Sequence, residues 1–185
     1  MRLEKSNFRI DSSGWEETTI GGQRVKTNPL RDVIELLEGE AVGEQHFKWA
    51  AAKRETAKAW KRMPADPEWD VLIAENHTPH LPYETLGLPL AGVWVELPPE
   101  WPKKNPSLSV GDVGQMGIYW SDTEAQAVGY AWRRGFSNGR TSVTRYSCTK
   151  ESYLSVRCLE ETPGLKWRIP YRECEIVLPE EGEKQ

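Results

Sequence analysis

The chain contains no stretch approaching the roughly 18 consecutive apolar residues of a membrane-spanning helix, so membrane insertion is not expected. It has three cysteines, Cys148, Cys158 and Cys174. An odd number cannot all pair within one chain, and without a C-x-x-C spacing there is no zinc ribbon. A surplus of basic charge is missing too. Lys and Arg total 24 against 28 acids, for a formal net charge of −4. That balance speaks against a general nucleic-acid binder while leaving room for a local basic patch. The opening MRLEKSNFRIDSSG has no apolar h-region, so no standard secretory signal is expected. The expected location is the cytoplasm, or a larger particle that carries the protein out of it. No internal repeat is present.

What the chain has is length, rings and proline. At 185 residues it is expected to form one domain. A chain of that size buries roughly 70% of its unfolded surface, enough for a core without staples. Nine tryptophans and thirteen prolines suggest a loop-rich fold in which large rings fill irregular spaces.

Residues 7–27 read as extended segments punctuated by Gly14 and Gly21-Gly22. LRDVIELLE (30–38) places Leu30, Val33, Ile34 and Leu37 at helical spacing. Residues 44–62 read as a helix with Phe47, Ala50, Ala51, Ala57 and Trp60 on one stripe, stopped by Pro64. Asp66 is expected to cap the next helix, with Pro67 at its first position and Trp69, Leu72 and Ile73 on its inner face. Trp49, Trp60 and Trp69 are expected in the core. Residues 76–106 carry seven prolines and read mostly as loop. From Gly117 the reading is β. Tyr130, Trp132, Arg134 and Phe136 alternate with Ala131, Arg133 and Gly135, and Asn138-Gly139 is a strong hairpin signal. The ribbon is expected to continue through Arg140 to Tyr146. Another strand is expected over Tyr153 to Leu159, a last one over Arg172 to Leu178, and then a frayed tail. The order predicts an α+β fold: two helices packed on an antiparallel sheet with long irregular loops.

Four segments carry a resemblance. KRMPADPEWDVL (61–72) resembles the R-[LV]-P-T-x-x-E-W signature of the bacterial major paralogous-domain family and its formylglycine-generating-enzyme relatives. GLPLAG (87–92) is similar to that family's second signature, GIYWSDTEA (117–125) to its YWSSTE segment, and LSVRCL (154–159) to its closing SVRC segment. The four occur in the family's order over about 60–160. Residues 1–55 match less clearly, and Ala65 stands where the family usually has Thr. The resemblance implies a single C-type-lectin-like domain over 1–185, with a variable ligand-binding region at about 117–159.

One subset of that fold comprises the variable proteins of diversity-generating retroelements. There, a sheet ending in SVRC displays residues altered by adenine-directed mutagenesis. Asn codons become NNC codons, which encode none of Lys, Glu, Gln, Met and Trp. Residues 133–149, RRGFSNGRTSVTRYSCT, contain none of these five types, although they make up 50 of the 185 residues overall. The window is bounded by Trp132 and Lys150, so its limits are set by the property itself.

Charge marks the same region. No acid lies between Glu124 and Glu151, while Arg133, Arg134, Arg140, Arg145 and Lys150 fall there. Ser137, Asn138, Arg140, Ser142, Thr144, Tyr146 and Cys148 are expected to alternate with Thr141, Val143 and Arg145 on the other face. Tyr supplies rigid contact area, Ser and Asn adaptable hydrogen bonds, and Arg bidentate recognition of carboxylates. The plainer alternative is an exposed hairpin with a solvated polar face. The candidate ligand-binding residues are Tyr130, Arg133, Gly135, Ser137, Asn138, Arg140, Ser142, Thr144, Tyr146 and Cys148. Trp120, Trp132 and LSVRCL are expected to supply fixed packing beneath them.

Other chemistry is less well provided for. His77 and His80 lie close in sequence but lack further ligands, and surface histidines are the plainer reading. Asp122 and Glu124, with Asp112, show no calcium-loop pattern and read as turn caps. Cys158 reads as a small buried hydrophobe. Cys148 and Cys158 fall ten residues apart on strands, not as an obvious redox pair, and no other nucleophile-and-base set is found. No catalytic residue, metal or cofactor is therefore expected. The expected function is non-catalytic binding of a protein or glycan on a target cell surface, as in a viral receptor-binding module displayed on a virion, with no nucleic-acid partner. The alternatives are a fixed structural or binding domain of the paralogous-domain family, or, more remotely, a formylglycine-generating-type enzyme.

Overall fold

A computed structural model describes residues 1–160 apart from 7, 11–13, 21, 40, 77–80, 97–107 and 112, with backbone alone at 93–96 and 108–111. The strand expected over Arg172 to Leu178, the tail, His77, His80, Asp112 and Cys174 lie outside the described residues.

The fold is α+β, with most of the regular structure among the described residues in one eight-stranded sheet. Four short strands open the chain: β1 (Glu16–Ile20), β2 (Gln23–Asn28), β3 (Val33–Leu36) and β4 (Gln45–Phe47). They form an antiparallel meander. Helices α1 (Trp49–Lys58), α2 (Asp66–Glu75) and the single turn α3 (Pro82–Thr85) follow. Strands β5 (Val93–Glu96) and β6 (Leu108–Gly111) pair with each other in a small second sheet. Then β7 (Met116–Glu124), β8 (Tyr130–Ser137) and β9 (Thr144–Thr149) form a second antiparallel meander. The two-residue β10 (Leu154–Ser155) joins the halves. It runs antiparallel to β4 and parallel to β7, so the sheet is mixed rather than wholly antiparallel.

The segment expected to be helical at 30–38 contains a strand instead. Val33 packs into one cluster, with Phe47 and Trp120, while Ile34 and Leu36 pack into another, with Val25 and Tyr153. Alternate residues of a strand point to opposite faces, and here both faces are buried. A short apolar run buried on both sides has no periodicity that separates it from a helix. Leu30, placed on the expected stripe, is 94% exposed.

The helix expected over 44–62 is shorter at both ends. Residues 45–47 are taken by β4, and the helix ends at Lys58. Trp60 sits past the C-cap with φ 59° and is 81% exposed, so it is not a core residue. Trp49 and Trp69 are buried as expected. The loops expected over 76–106 hold α3 and β5, and the strand expected over Tyr153 to Leu159 is regular only at Leu154–Ser155. Residues 152–159 are nonetheless all buried.

The core divides around β7. Ile118 and Trp120 join Trp49, Ala51 and Ala52 of α1. Tyr119 joins Trp69 and Leu72 of α2, with Phe136. Trp69, Tyr119 and Phe136 form an aromatic triangle with centroids 5.9–6.2 Å apart. The buried indoles are satisfied by backbone carbonyls. Trp120 donates to Phe47 O at 2.7 Å, Trp49 to Ser121 O at 2.9 Å and Trp69 to Trp120 O at 3.3 Å. Rings this large bury without cost only when the N–H finds an acceptor, and each does.

Candidate ligand-binding face

The β8–β9 register sorts the candidate residues. Arg133 lies opposite Tyr146, Gly135 opposite Thr144 and Ala131 opposite Cys148. Directly opposed residues share a face, so Arg133, Gly135, Thr144, Tyr146 and Cys148 lie on one side. Tyr130 shares strand parity with Trp132 and Arg134 and belongs to the other side. Ser137 ends β8, and Asn138 and Gly139 form the turn, with Gly139 at φ 67°. Residues 140–143 are not strand, so the ribbon expected to continue from Arg140 resumes only at Thr144. Asn138, Arg140, Ser142 and Tyr146 are exposed, and so is Tyr130.

The other five of the ten, Arg133, Gly135, Ser137, Thr144 and Cys148, are less open. Gly135 is buried, and a Cβ built on it would lie 2.4 Å from Thr144 Oγ1. Thr144 in turn donates its hydroxyl to Gly135 O at 3.2 Å. The pair is a packing contact within the ribbon, and neither is a freely exchangeable surface position. Cys148 is half-buried against the α1 cluster. Burial pushes its thiol up to about 11, against the neighbouring Arg133 and Ser152. Cys158 is buried in the same cluster, and desolvation pushes its thiol up to about 12. At neutral pH both are thiols, and the thiolate is the nucleophilic form.

The basic run is largely neutralised. Arg134 is buried, with Nη2 at 2.7 Å from Asp66 Oδ1 and 2.9 Å from Asp70 Oδ1. Arg145 places Nη2 at 2.6 Å from Asp66 Oδ2, and its guanidinium lies 3.6 Å from the Trp132 ring centroid. Lys150 pairs with Glu124 at 2.9 Å and lies 4.5 Å from the Trp49 ring centroid. Arg133 and Arg140 have no carboxylate partner among the described residues. Asp66 was expected to cap α2. It is instead the first helical residue, and its carboxylate is engaged by the two arginines. The cap position falls on Ala65, which has no side-chain acceptor to offer.

The four motif segments meet one another. Arg62 grips Glu68 in a fork, with bonds of 2.6 and 2.7 Å, which holds the Glu68 carboxyl below its usual range. Glu68 also accepts from Ala65 N–H at 2.8 Å. Asp122 N–H donates to Pro64 O at 2.9 Å and Asp66 N–H to Thr123 Oγ1 at 2.9 Å, joining the first segment to the third. Tyr119 donates its hydroxyl to Pro89 O at 2.6 Å, joining the third to the second. Arg157 donates to Gly87 O at 2.7 Å and Leu159 N–H to Arg62 O at 3.1 Å, joining the fourth to the second and first.

The chain matches no family model, no curated protein and no solved structure.

Among the described residues no cluster of three or more His, Cys, Asp or Glu is placed to hold a metal ion. Asp122 and Glu124, weighed for calcium, are paired with Lys53 at 2.8 Å and Lys150 at 2.9 Å. A buried polar group that none of the candidate residues belongs to lies where β4 meets β10. Glu44, His46, Ser155 and Arg157 are each almost fully buried. Burial pushes the Glu44 carboxyl up to about 7, against the pull of Arg157 and Ser155. It pushes the His46 imidazole down to about 4, against a backbone hydrogen bond at Ala91. The Arg of the SVRC segment was the one available signal for this group. An arginine between residues that both read as buried needs a partner.

Proposed function

We propose that the chain is a non-catalytic ligand-binding protein with a C-type-lectin-like fold, the diversified variable protein of a retroelement. It would grip a protein or glycan on a target surface, as a viral receptor-binding module does. One observation carries this reading. Four segments far apart in sequence lock onto one another through hydrogen bonds, while Asn138, Arg140, Ser142 and Tyr146 project from a hairpin anchored on that framework. Exposed side chains are exchanged at little cost to stability, and buried ones are not. A display function needs both in one molecule. The raised thiols of Cys148 and Cys158 support the non-catalytic part, because neither is activated as a nucleophile.

The test is genomic. A near-identical copy of the coding region for 117–159 should lie downstream, differing mainly at adenines, with a reverse transcriptase beside it. Its absence would overturn the retroelement reading in favour of a fixed binding domain of the paralogous-domain family. That second reading has its own support. Arg134, Gly135, Thr144 and Arg145 are tied down inside the same window.

A further inference from the structure

Among the cations of the acid-free stretch, Arg134, Arg145 and Lys150 each have a carboxylate at 2.9 Å or less, and Arg133 and Arg140 have none among the described residues. The two differ in how they are held. Arg140 stands exposed beyond the turn. Arg133 is half-buried, and its guanidinium lies 5.7 Å from the Tyr146 ring centroid. Its Nη1 lies 3.8 Å from the point where a Cβ on Gly135 would sit, an ordinary van der Waals distance. That Nη1 is covered and has no hydrogen-bond partner among the described residues.

We infer that Arg133, half-buried beside Tyr146, is the anchor for an Asp or Glu side chain of a protein partner. The inference rests on the display reading for the place of the ligand and adds its chemistry. A half-buried guanidinium beside a ring has already lost part of its hydration and its freedom, so pairing it costs less than pairing a fully exposed one. A carboxylate engages the open edge of a guanidinium through two parallel bonds. Arg140 adds attraction of the same sign, which speeds encounter with an acidic surface. The surrounding Tyr, Ser, Asn and Thr form the palette of surfaces that bind proteins. Neither of two clefts, of about 470 and 310 Å³, is lined by Arg133 or Tyr146.

The experiment is selection of a phage-displayed random dodecapeptide library on the full chain, alongside an array of neutral and acidic glycans. The expected result is enrichment of Asp and Glu in the recovered peptides. Their affinity should fall about tenfold to a hundredfold on Arg133→Gln and less on Arg133→Lys. Thermal melts of both variants establish that they are folded, and an R133Q chain that fails to fold leaves the comparison to R133K and to Tyr146→Ala. Peptides without acid enrichment that still lose binding on Tyr146→Ala overturn the acidic anchor and leave the display face standing. Peptides indifferent to substitutions at 133, 140 and 146 overturn both. Recovery of no peptide, or binding confined to acidic glycans, overturns the assignment of a protein partner.

Discussion

Arg134 and Asp66 form a buried ion pair, 2.7 Å from Nη2 to Oδ1, between the middle of β8 and the first turn of α2. Asp66 also accepts from Arg145 on β9, so one carboxylate ties both strands of the hairpin to the helix. The neighbouring Arg133 points to the opposite side of the same strand. Adjacent residues of like chemistry thus serve different ends, one as a fastening and one as a candidate contact.

Removing one partner of a buried pair strands the other. Asp66→Ala or Arg134→Ala is therefore expected to cost about 3–5 kcal/mol of stability in urea unfolding. Asp70→Ala should cost less than about 1 kcal/mol, because the Asp70 side chain is 64% exposed. Equal losses at 66 and 70 would show that Asp66 is not the fastening.

Gly135 and Thr144 predict a coupled pair. Gly135→Ala forces a methyl against Thr144 Oγ1 and is expected to cost about 1–3 kcal/mol, as overpacking does. Thr144→Ala in that background should restore most of the loss, although alone it removes the bond to Gly135 O. Additive losses in the double variant would refute the contact.

Substitution at Arg140, Ser142 or Tyr146 is expected to leave stability within about 0.5 kcal/mol, a shift of roughly 1–2 °C in Tm for a chain of this size. Val143, packed partly against the α2 cluster, supplies the contrast, and Val143→Ser should cost clearly more. Loss of several degrees at 140, 142 and 146 alike would place those side chains in the framework.

Glu44 and His46 predict opposing pH dependences. The folded Glu44 carboxyl, near 7, holds its proton more tightly than the unfolded one at 4.5. Its contribution is complete below pH 4.5 and lost as pH rises through 7. The folded His46 imidazole, near 4, holds its proton less tightly than the unfolded one at 6.5. Its contribution is present above pH 6.5 and lost as pH falls through 4. Between about pH 4.5 and 6.5 the two slopes cancel, and the native chain should show a plateau. Glu44→Gln should turn that plateau into stability rising with pH, and His46→Gln into stability falling with pH. Chemical denaturation of both variants across that range is the measurement, and a parallel response would refute the opposed pair.

Much of the framework is legible before folding is considered. Trp69 and Leu72 after Pro67 mark α2 and its inner face, and Asn138-Gly139 marks the turn that the hairpin uses. Strand alternation separates Arg133 from Arg134. It does not say which side a helix will close, because that depends on where α2 docks. The same dependence hides the cluster at Glu44 and His46, whose burial comes from β10 arriving beside β4. Trp60 misleads for a related reason. Its spacing continues the α1 stripe, but the helix stops before it, after the stretch it buries against β7.

β10 has two residues, yet it is the seam between both meanders. Until Leu154 and Ser155 leave the ribosome, β4 and β7 each lack the neighbour that β10 supplies, with backbone donors and acceptors left to water or to another chain. The sheet can therefore be completed only once that dipeptide has been made, and a message truncated upstream of it yields two sticky halves instead of a smaller working protein.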